Sequence, residues 1–502
     1  MKTSYILMLV TIISKLFGLI REQALARFFG TAMAADVFLV AFQIPMTFTN
    51  VVSGATANGY IPIYDKVKTK ENKEKADEFT SNLVNIAFIA TLILSVIGII
   101  FAEPLVKLMA YGFNKEELEL GVFMTRAGLV SLAATSSFSI FKAYLQINRK
   151  FVISVSHAIF MNIIIIAAMY LSYKTKTAYL GYGIAIAFIF QYIIFLPYIR
   201  KTGYKQKLKI NLKDEYFKEM LKMIIPVLIS TSVIELNFII SKSLASSLYT
   251  GAISTLNYAY KLQSFVTGIV ITSITTAVYP EMARLGAKKD KEGLKNQTSE
   301  ALFTMSLLVI PASIGLFLFS VPIVKLLFQG GAFGKEDSIK TATVLAFYAI
   351  GIIGIGVREI LSRVCYSQMD TKTPVINSVI MVAVNIVLSV VLSKIWGIKG
   401  LALATSISFI AGAILIYIPI RNKLGKILKT ETLKDIIKII ISTAVMGAGS
   451  KTLFNIIEKN LGSNLSLIAS ILIAGIIYIA MLLILKPSAI NKTIEKIKNR
   501  NK

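Results

Sequence analysis

Histidine and cysteine are nearly missing from this sequence: 502 residues contain one of each, His157 and Cys365. That excludes a disulfide framework, a Cys/His metal centre and a histidine-based catalytic triad, so no catalytic and no metal-ligating residues are assigned. Carboxylates are scarce as well, 27 against 54 lysines and arginines. No Walker A segment occurs, and no stretch between apolar runs is long enough for a soluble catalytic domain. The chain is therefore read as a non-enzyme without a cofactor, drawing any energy it uses from an ion gradient or the membrane potential rather than from ATP. A small-residue cleavage site after the first apolar run is also missing, so that run is expected to stay in the mature protein.

What the sequence has in abundance is apolar length. With 55% hydrophobic and 16% charged residues, a soluble fold would leave far too much apolar surface in water, so the chain is read as an all-α polytopic membrane protein. Runs of about 20 apolar residues, matched to a hydrocarbon core of about 30 Å, place helices over 4–29, 33–63, 80–102, 120–146, 151–173, 178–199, 218–247, 252–282, 298–321, 338–368, 373–395, 398–420, 434–456 and 463–485. That makes about fourteen spans. The net charge of +27 suggests nucleic acid, but the lysines cluster in short connections between spans instead of on an aromatic-interleaved face. Lys66, Lys68, Lys70, Lys73 and Lys75 follow the second span, Arg200 to Lys213 the sixth, Arg284 to Lys295 the eighth and Arg421 to Lys429 the twelfth. By the positive-inside rule both termini are cytoplasmic, and the basic tail is expected to meet anionic membrane lipid.

An internal repeat is visible by eye. FAEPLVKLMAYGF at 101–113 recurs as FSVPIVKLLFQGG at 319–331, an offset of 218 residues that also relates Pro62 to Pro280; QINRKFVIS from Gln146 answers QMDTKTPVIN from Gln368. Six spans fit inside that offset, so both copies enter from the same side as parallel repeats, an arrangement that holds substrate at the repeat interface and works by rocking. The expected organisation is an N-terminal six-helix lobe over 1–205, a second over 206–425, two further membrane helices over 426–486 and a basic cytoplasmic tail over 487–502.

Charge inside the spans marks the candidate site. A Lys or Arg near the bilayer centre costs roughly 2.5–3.5 kcal/mol and is kept only against protein, water or an anionic ligand. The first span carries Lys15, Arg21, Glu22 and Arg27; helical spacing sets Lys15, Gly18 and Glu22 near one line, with Arg21 about a third of a turn away. With Asp36 in the second span and Lys261 in the eighth, they make a cavity with surplus positive charge, for which a phosphate is the natural ligand. Gly54, Asn58 and Gly59 interrupt the second span beyond Pro45 and are read as a gate. Glu235, a carboxylate within the seventh span, is read as a Na+ or H+ site helped by Asn377 and Thr405.

SKLFGLIREQALARFFGTAMAADVFLVAFQIP, at 14–45, resembles the opening of the MurJ (MviN) lipid II flippases of the MOP exporter superfamily. NYAYKLQSF at 257–265, LFQGGAF at 327–333 and CYSQMDTKTPV at 365–375 extend the resemblance over essentially the whole chain. The resemblance implies two six-helix lobes in a V, with two C-terminal helices forming a lipid-accessible groove. It implies translocation of the undecaprenyl-diphosphate-linked peptidoglycan precursor, lipid II, from inner to outer leaflet of the bacterial cytoplasmic membrane by alternating access. It also implies a monomer serving cell-wall synthesis, with cell-wall synthesis proteins as partners. Arg21 and Asp36 match the family directly, while Lys15 and Lys261 stand where it often has arginine. Thr49 and Asn50 replace an arginine pair that many members carry, and Gly54 a glutamate. Exporters of other polyprenyl-linked glycans (O-antigen, teichoic or capsule units) are the alternative; a drug or cation antiporter fits a cationic cavity poorly.

Overall fold

The computed structural model describes residues 2–488, without the side chains at 2–5, 7, 8, 55, 57, 58, 226, 227, 229–231, 233 and 234. The basic tail expected over 487–502 therefore lies almost wholly outside the described residues. The chain is helical: α1 Lys2–Phe29, α2 Met33–Lys70, α3 Lys73–Ile100, α4 Ala102–Met109, α5 Lys115–Leu129, α6 Leu132–Ile147, α7 Phe151–Lys174, α8 Tyr179–Ile193 and α9 Leu196–Arg200. These are followed by α10 Glu215–Ser246, α11 Ala252–Ala287, α12 Lys291–Leu318, α13 Ser320–Phe328, α14 Lys335–Ser367, α15 Lys372–Trp396, α16 Ile398–Leu424 and α17 Thr430–Leu485. Every stretch expected to span is helical, though 120–146 is divided between α5 and α6, 178–199 between α8 and α9, and 80–102 and 298–321 reach into α4 and α13. Among the described residues ten helices are long and apolar enough to cross a membrane, or eleven if α5 and α6, bent by 46°, form one span. Length and composition thus do not reach fourteen. One reason is that α17 is continuous in hydrogen bonding but broken at Gly462 (φ 72°), where the last two expected helices meet.

The apolar residues face outwards as well as inwards, which a membrane permits and water does not. On α3, Leu92, Ile93 and Val96 are exposed, and on α17 Leu472, Ile476 and Leu483.

The chain divides into two compact units, one of 1–254 with 330–333, the other of 255–329 with 334–502. These packing units differ from the repeats, because α10, which opens the second copy, packs on α2 in the first unit. The two helices approach closely at Gly59, where a Cβ would lie 2.2 Å from Ile224 Cγ2. The first unit has an aromatic core in which Tyr60, Tyr64, Phe79, Phe138, Tyr144 and Phe195 are buried. Its polar rim anchors the connection at 201–214. Asn85 Nδ2 donates to the carbonyls of Lys207 and Lys209, and Lys207 Nζ reaches Glu78 at 2.8 Å and Glu74 at 3.1 Å. Both carboxylates raise the Lys207 pKa, Glu78 most.

The repeated 101–113 and 319–331 segments end in the same kind of contact, also within the first unit. Gly112 lies against Ser246 at the end of α10, where a Cβ would be 2.4 Å from its carbonyl oxygen. Gly331 (φ +59°) lies against Arg27 at the end of α1, where a Cβ would be 2.2 Å from that carbonyl, and Ala332 N–H donates to the same oxygen at 2.9 Å. Since α1 and α10 open the two repeats, each copy's segment docks on the opening helix of the other copy.

In the second unit small residues let helices meet, as is usual where apolar packing against lipid gives no preference. Gly351 faces Ser406 and Gly354 faces Ile410, joining α14 to α16. Along α17, Ile439, Met446, Tyr478 and Leu482 pack with Phe303 and Ile310 of α12.

Candidate functional site: charged residues inside the membrane helices

Helix α1 buries its charge against a carboxylate of its own and an aromatic ring of α2. Arg21 is buried at 7% exposure and its Nη2 lies 2.5 Å from Glu22 Oε1, itself 1% exposed. The guanidinium also sits 4.8 Å from the centre of the Phe42 ring on α2. Glu22 offsets part of the desolvation cost of Arg21, and the planar group keeps further N–H donors for a second acceptor. Lys15, two turns earlier, is exposed. Thus one cation is buried and the other accessible, although the helical wheel set both towards one space.

Asp36 is 1% exposed and accepts the backbone N–H groups of Gly251 and Ser254, each at 2.7 Å. Its charge therefore holds the start of α11, where helix N–H groups lack intrahelical acceptors. Gly251 (φ +101°) is required there, since a Cβ would fall 2.1 Å from the Thr31 carbonyl oxygen. The same helix continues into the second unit, where Lys261 is half-buried.

Glu235, 7% exposed, takes its partners from α2. Thr47 Oγ1 donates at 2.8 Å, Asn50 Nδ2 at 3.0 Å and Gln43 Nε2 at 3.4 Å. Gln43 Oε1 in turn accepts from Lys242 Nζ at 3.0 Å, and Lys242 also reaches the Leu39 carbonyl at 2.9 Å. The cluster extends over two helices of one unit, and only Glu235 and Lys242 carry the charge by which a sequence draws attention; Gln43, Thr47 and Asn50 gave no such signal. Asn377 and Thr405, expected beside Glu235, belong to the second unit and have other partners. Asn377 Oδ1 accepts from Arg358 Nε at 2.9 Å and its Nδ2 donates to the Gly412 carbonyl at 2.8 Å, while Thr405 Oγ1 accepts from Asn385 Nδ2 at 3.2 Å. Of the gate residues, Gly59 is the close approach to α10 described above, Gly54 is half-buried on α2, and the side chain of Asn58 lies outside the described residues.

Residues 25–473 match the family model described as lipid II flippase MurJ. The chain is 26% identical to a lipid II flippase MurJ of Burkholderia cenocepacia over 423 residues, 82% of each protein. It is 28% identical to a probable lipid II flippase MurJ of Rickettsia prowazekii over 412 residues, 81% of each. A solved lipid II flippase MurJ in an inward closed conformation superposes with TM-score 0.84 at 25% identity, covering 96% of this chain and 99% of that one. An inward-facing multidrug MATE transporter of the MOP superfamily shares the fold, with TM-score 0.70 at 12% identity, over 84% of this chain and 98% of that one.

Proposed function

The chain belongs to the MurJ lipid II flippase family, and from that premise we propose that it moves lipid II from the inner to the outer leaflet of the bacterial cytoplasmic membrane by alternating access. The observation that carries this reading is a family match running nearly end to end over an integral membrane protein whose first helix keeps a buried arginine. Lys15, Arg21 and Lys261 supply the positive charge for the diphosphate, while the polyprenyl chain stays in lipid. Because Arg21 already has Glu22, phosphate binding amounts to a competition in which the guanidinium gains a second, more highly charged acceptor. The ligand drives closure only to the extent that it binds the occluded state better than the open one.

In this reading both termini are cytoplasmic and the protein works as a monomer. Coupling to Na+ or H+, or to the membrane potential, is assigned to Glu235, whose surroundings are amide and hydroxyl groups. The experiment is rescue of a bacterium depleted of its own lipid II flippase, with outer-leaflet lipid II quantified in the same cells. Restored growth with restored outer-leaflet precursor is expected. Failure in cells where the protein is correctly inserted would overturn the reading and favour another polyprenyl-linked glycan.

A further inference from the structure

A cavity of about 550 Å³ opens in the second unit between α11 and α14, within the roughly 300–1,000 Å³ usual for small-molecule sites. Its lining includes Thr272, Thr275, Thr276 and Tyr279 on α11 and Glu359 and Arg363 on α14. Thr272 and Thr276 are exposed on this face, next to the Glu359–Arg363 pair, so the lining is polar where a purely lipid-facing surface would be apolar.

The groups are arranged for a neutral, hydroxyl-bearing ligand rather than an anion. Arg363 Nη2 is 2.6 Å from Glu359 Oε1, so the pair carries no net charge. The guanidinium lies 5.4 Å from the Tyr279 ring centre and 6.0 Å from that of Tyr366, which fixes its plane. Its Nε–H is buried and has no acceptor among the described residues, so the donors it can offer a ligand are the terminal N–H groups. Exposed Thr276 donates its hydroxyl proton to the Thr272 carbonyl at 2.7 Å, which leaves oxygen lone pairs to accept from a ligand, while Thr275 is buried and bonded to the Ile271 carbonyl at 3.0 Å. Exposed hydroxyl groups, a neutral ion pair and an aromatic face suit the hydroxyl and acetamido groups of an amino sugar.

The ion pair has no counterpart at the matching positions of the first repeat. With the repeats aligned on Gln146 and Gln368, Glu359 and Arg363 fall opposite Ser137 and Phe141, both buried in the first unit at 2% and 3% exposure. The scaffold therefore packs well with ordinary core residues at these positions, and the ion pair is not required by the repeat fold.

We propose that this cavity is a subsite for the sugar portion of the transported lipid-linked glycan, with Arg363, Glu359 and the α11 threonines as its hydrogen-bonding groups. The proposal rests on the flippase reading above, and the test separates the two. Binding of lipid II and of undecaprenyl diphosphate, which lacks sugar, is measured on the full chain in lipid nanodiscs. For the double variant Glu359→Gln with Arg363→Gln, affinity for lipid II is expected to fall about tenfold or more, with undecaprenyl diphosphate affinity unchanged. Thr276→Val, nearly isosteric, is expected to lose about threefold on lipid II alone and serves if the double variant does not fold. Equal loss on both ligands, no loss on either, or equal wild-type affinity for both would overturn the subsite. A wild type that binds neither ligand would overturn the flippase reading, and the subsite with it.

Discussion

Arg21 shows how a charge is kept inside a membrane helix. Burial would be prohibitive for an isolated guanidinium, but Glu22 neutralises it and Phe42 covers one face. That arrangement predicts which substitutions matter. Arg21→Ala leaves Glu22 buried with its guanidinium partner removed and takes away the ligand's buried cation, so rescue of a flippase-depleted strain should be lost. Arg21→Lys keeps a point charge without the planar fork and should rescue partially. Growth is read alongside membrane abundance of each variant, and full rescue by Arg21→Ala at normal abundance would remove Arg21 from the substrate site. By contrast, Asp36 reads in the sequence as another cavity charge, yet its carboxylate is occupied by two backbone N–H groups at the start of α11. Its family match is explained as well by that positioning task as by contact with substrate.

Helices determine which of these side chains can meet. The reciprocal contacts of the two repeated segments, Gly112 on the end of α10 and Gly331 on the end of α1, tie the copies together through backbone packed too tightly for a side chain. Gly331→Ala puts a Cβ into the Arg27 carbonyl and strains a positive φ. A loss of about 1–3 kcal/mol in stability is expected, seen as a lowered Tm of the purified protein in detergent. Gly330 also has a positive φ (148°), in a region more restricted to glycine, but open space around its Cβ position, so Gly330→Ala measures backbone strain without a clash. Equal melting temperatures for wild type and Gly331→Ala would show that the docked segment contributes nothing to stability. The glycines in LFQGGAF stand out in the sequence, but which element they approach is not encoded locally, since Arg27 lies some three hundred residues away.

For the whole molecule, one extramembrane tie sets a pH dependence. Asp370, in the connection between α14 and α15, is pushed up by burial, yet the ammonium of Lys423 at the end of α16 and the Thr373 N–H and hydroxyl outweigh that and bring it to about 2. A carboxyl held below its ordinary value of 3.8 stabilises the fold at pH values above that value, and the contribution disappears as pH falls through about 2. Lys423→Met should therefore lower thermal stability at pH 7, with the gap from wild type closing as the pH approaches 2. A gap that does not change with pH would show that the loss does not come from the ion pair.

The sequence by itself determined the membrane class, the approximate positions of the helices, the duplication and the family. Each of these depends on sums over about 20 neighbouring residues or on motifs contiguous in the chain, which folding does not alter. Tertiary structure alone decided the partners. Glu235 bonds Gln43, Thr47 and Asn50 on α2 rather than Asn377 and Thr405, whose own bonds stay within the second unit. Glu359 and Arg363 line a cavity in one repeat where the other has buried core. A buried polar group takes whichever complementary group packing brings within about 3 Å. That choice is made between residues far apart in the chain, where hydropathy and spacing carry no information.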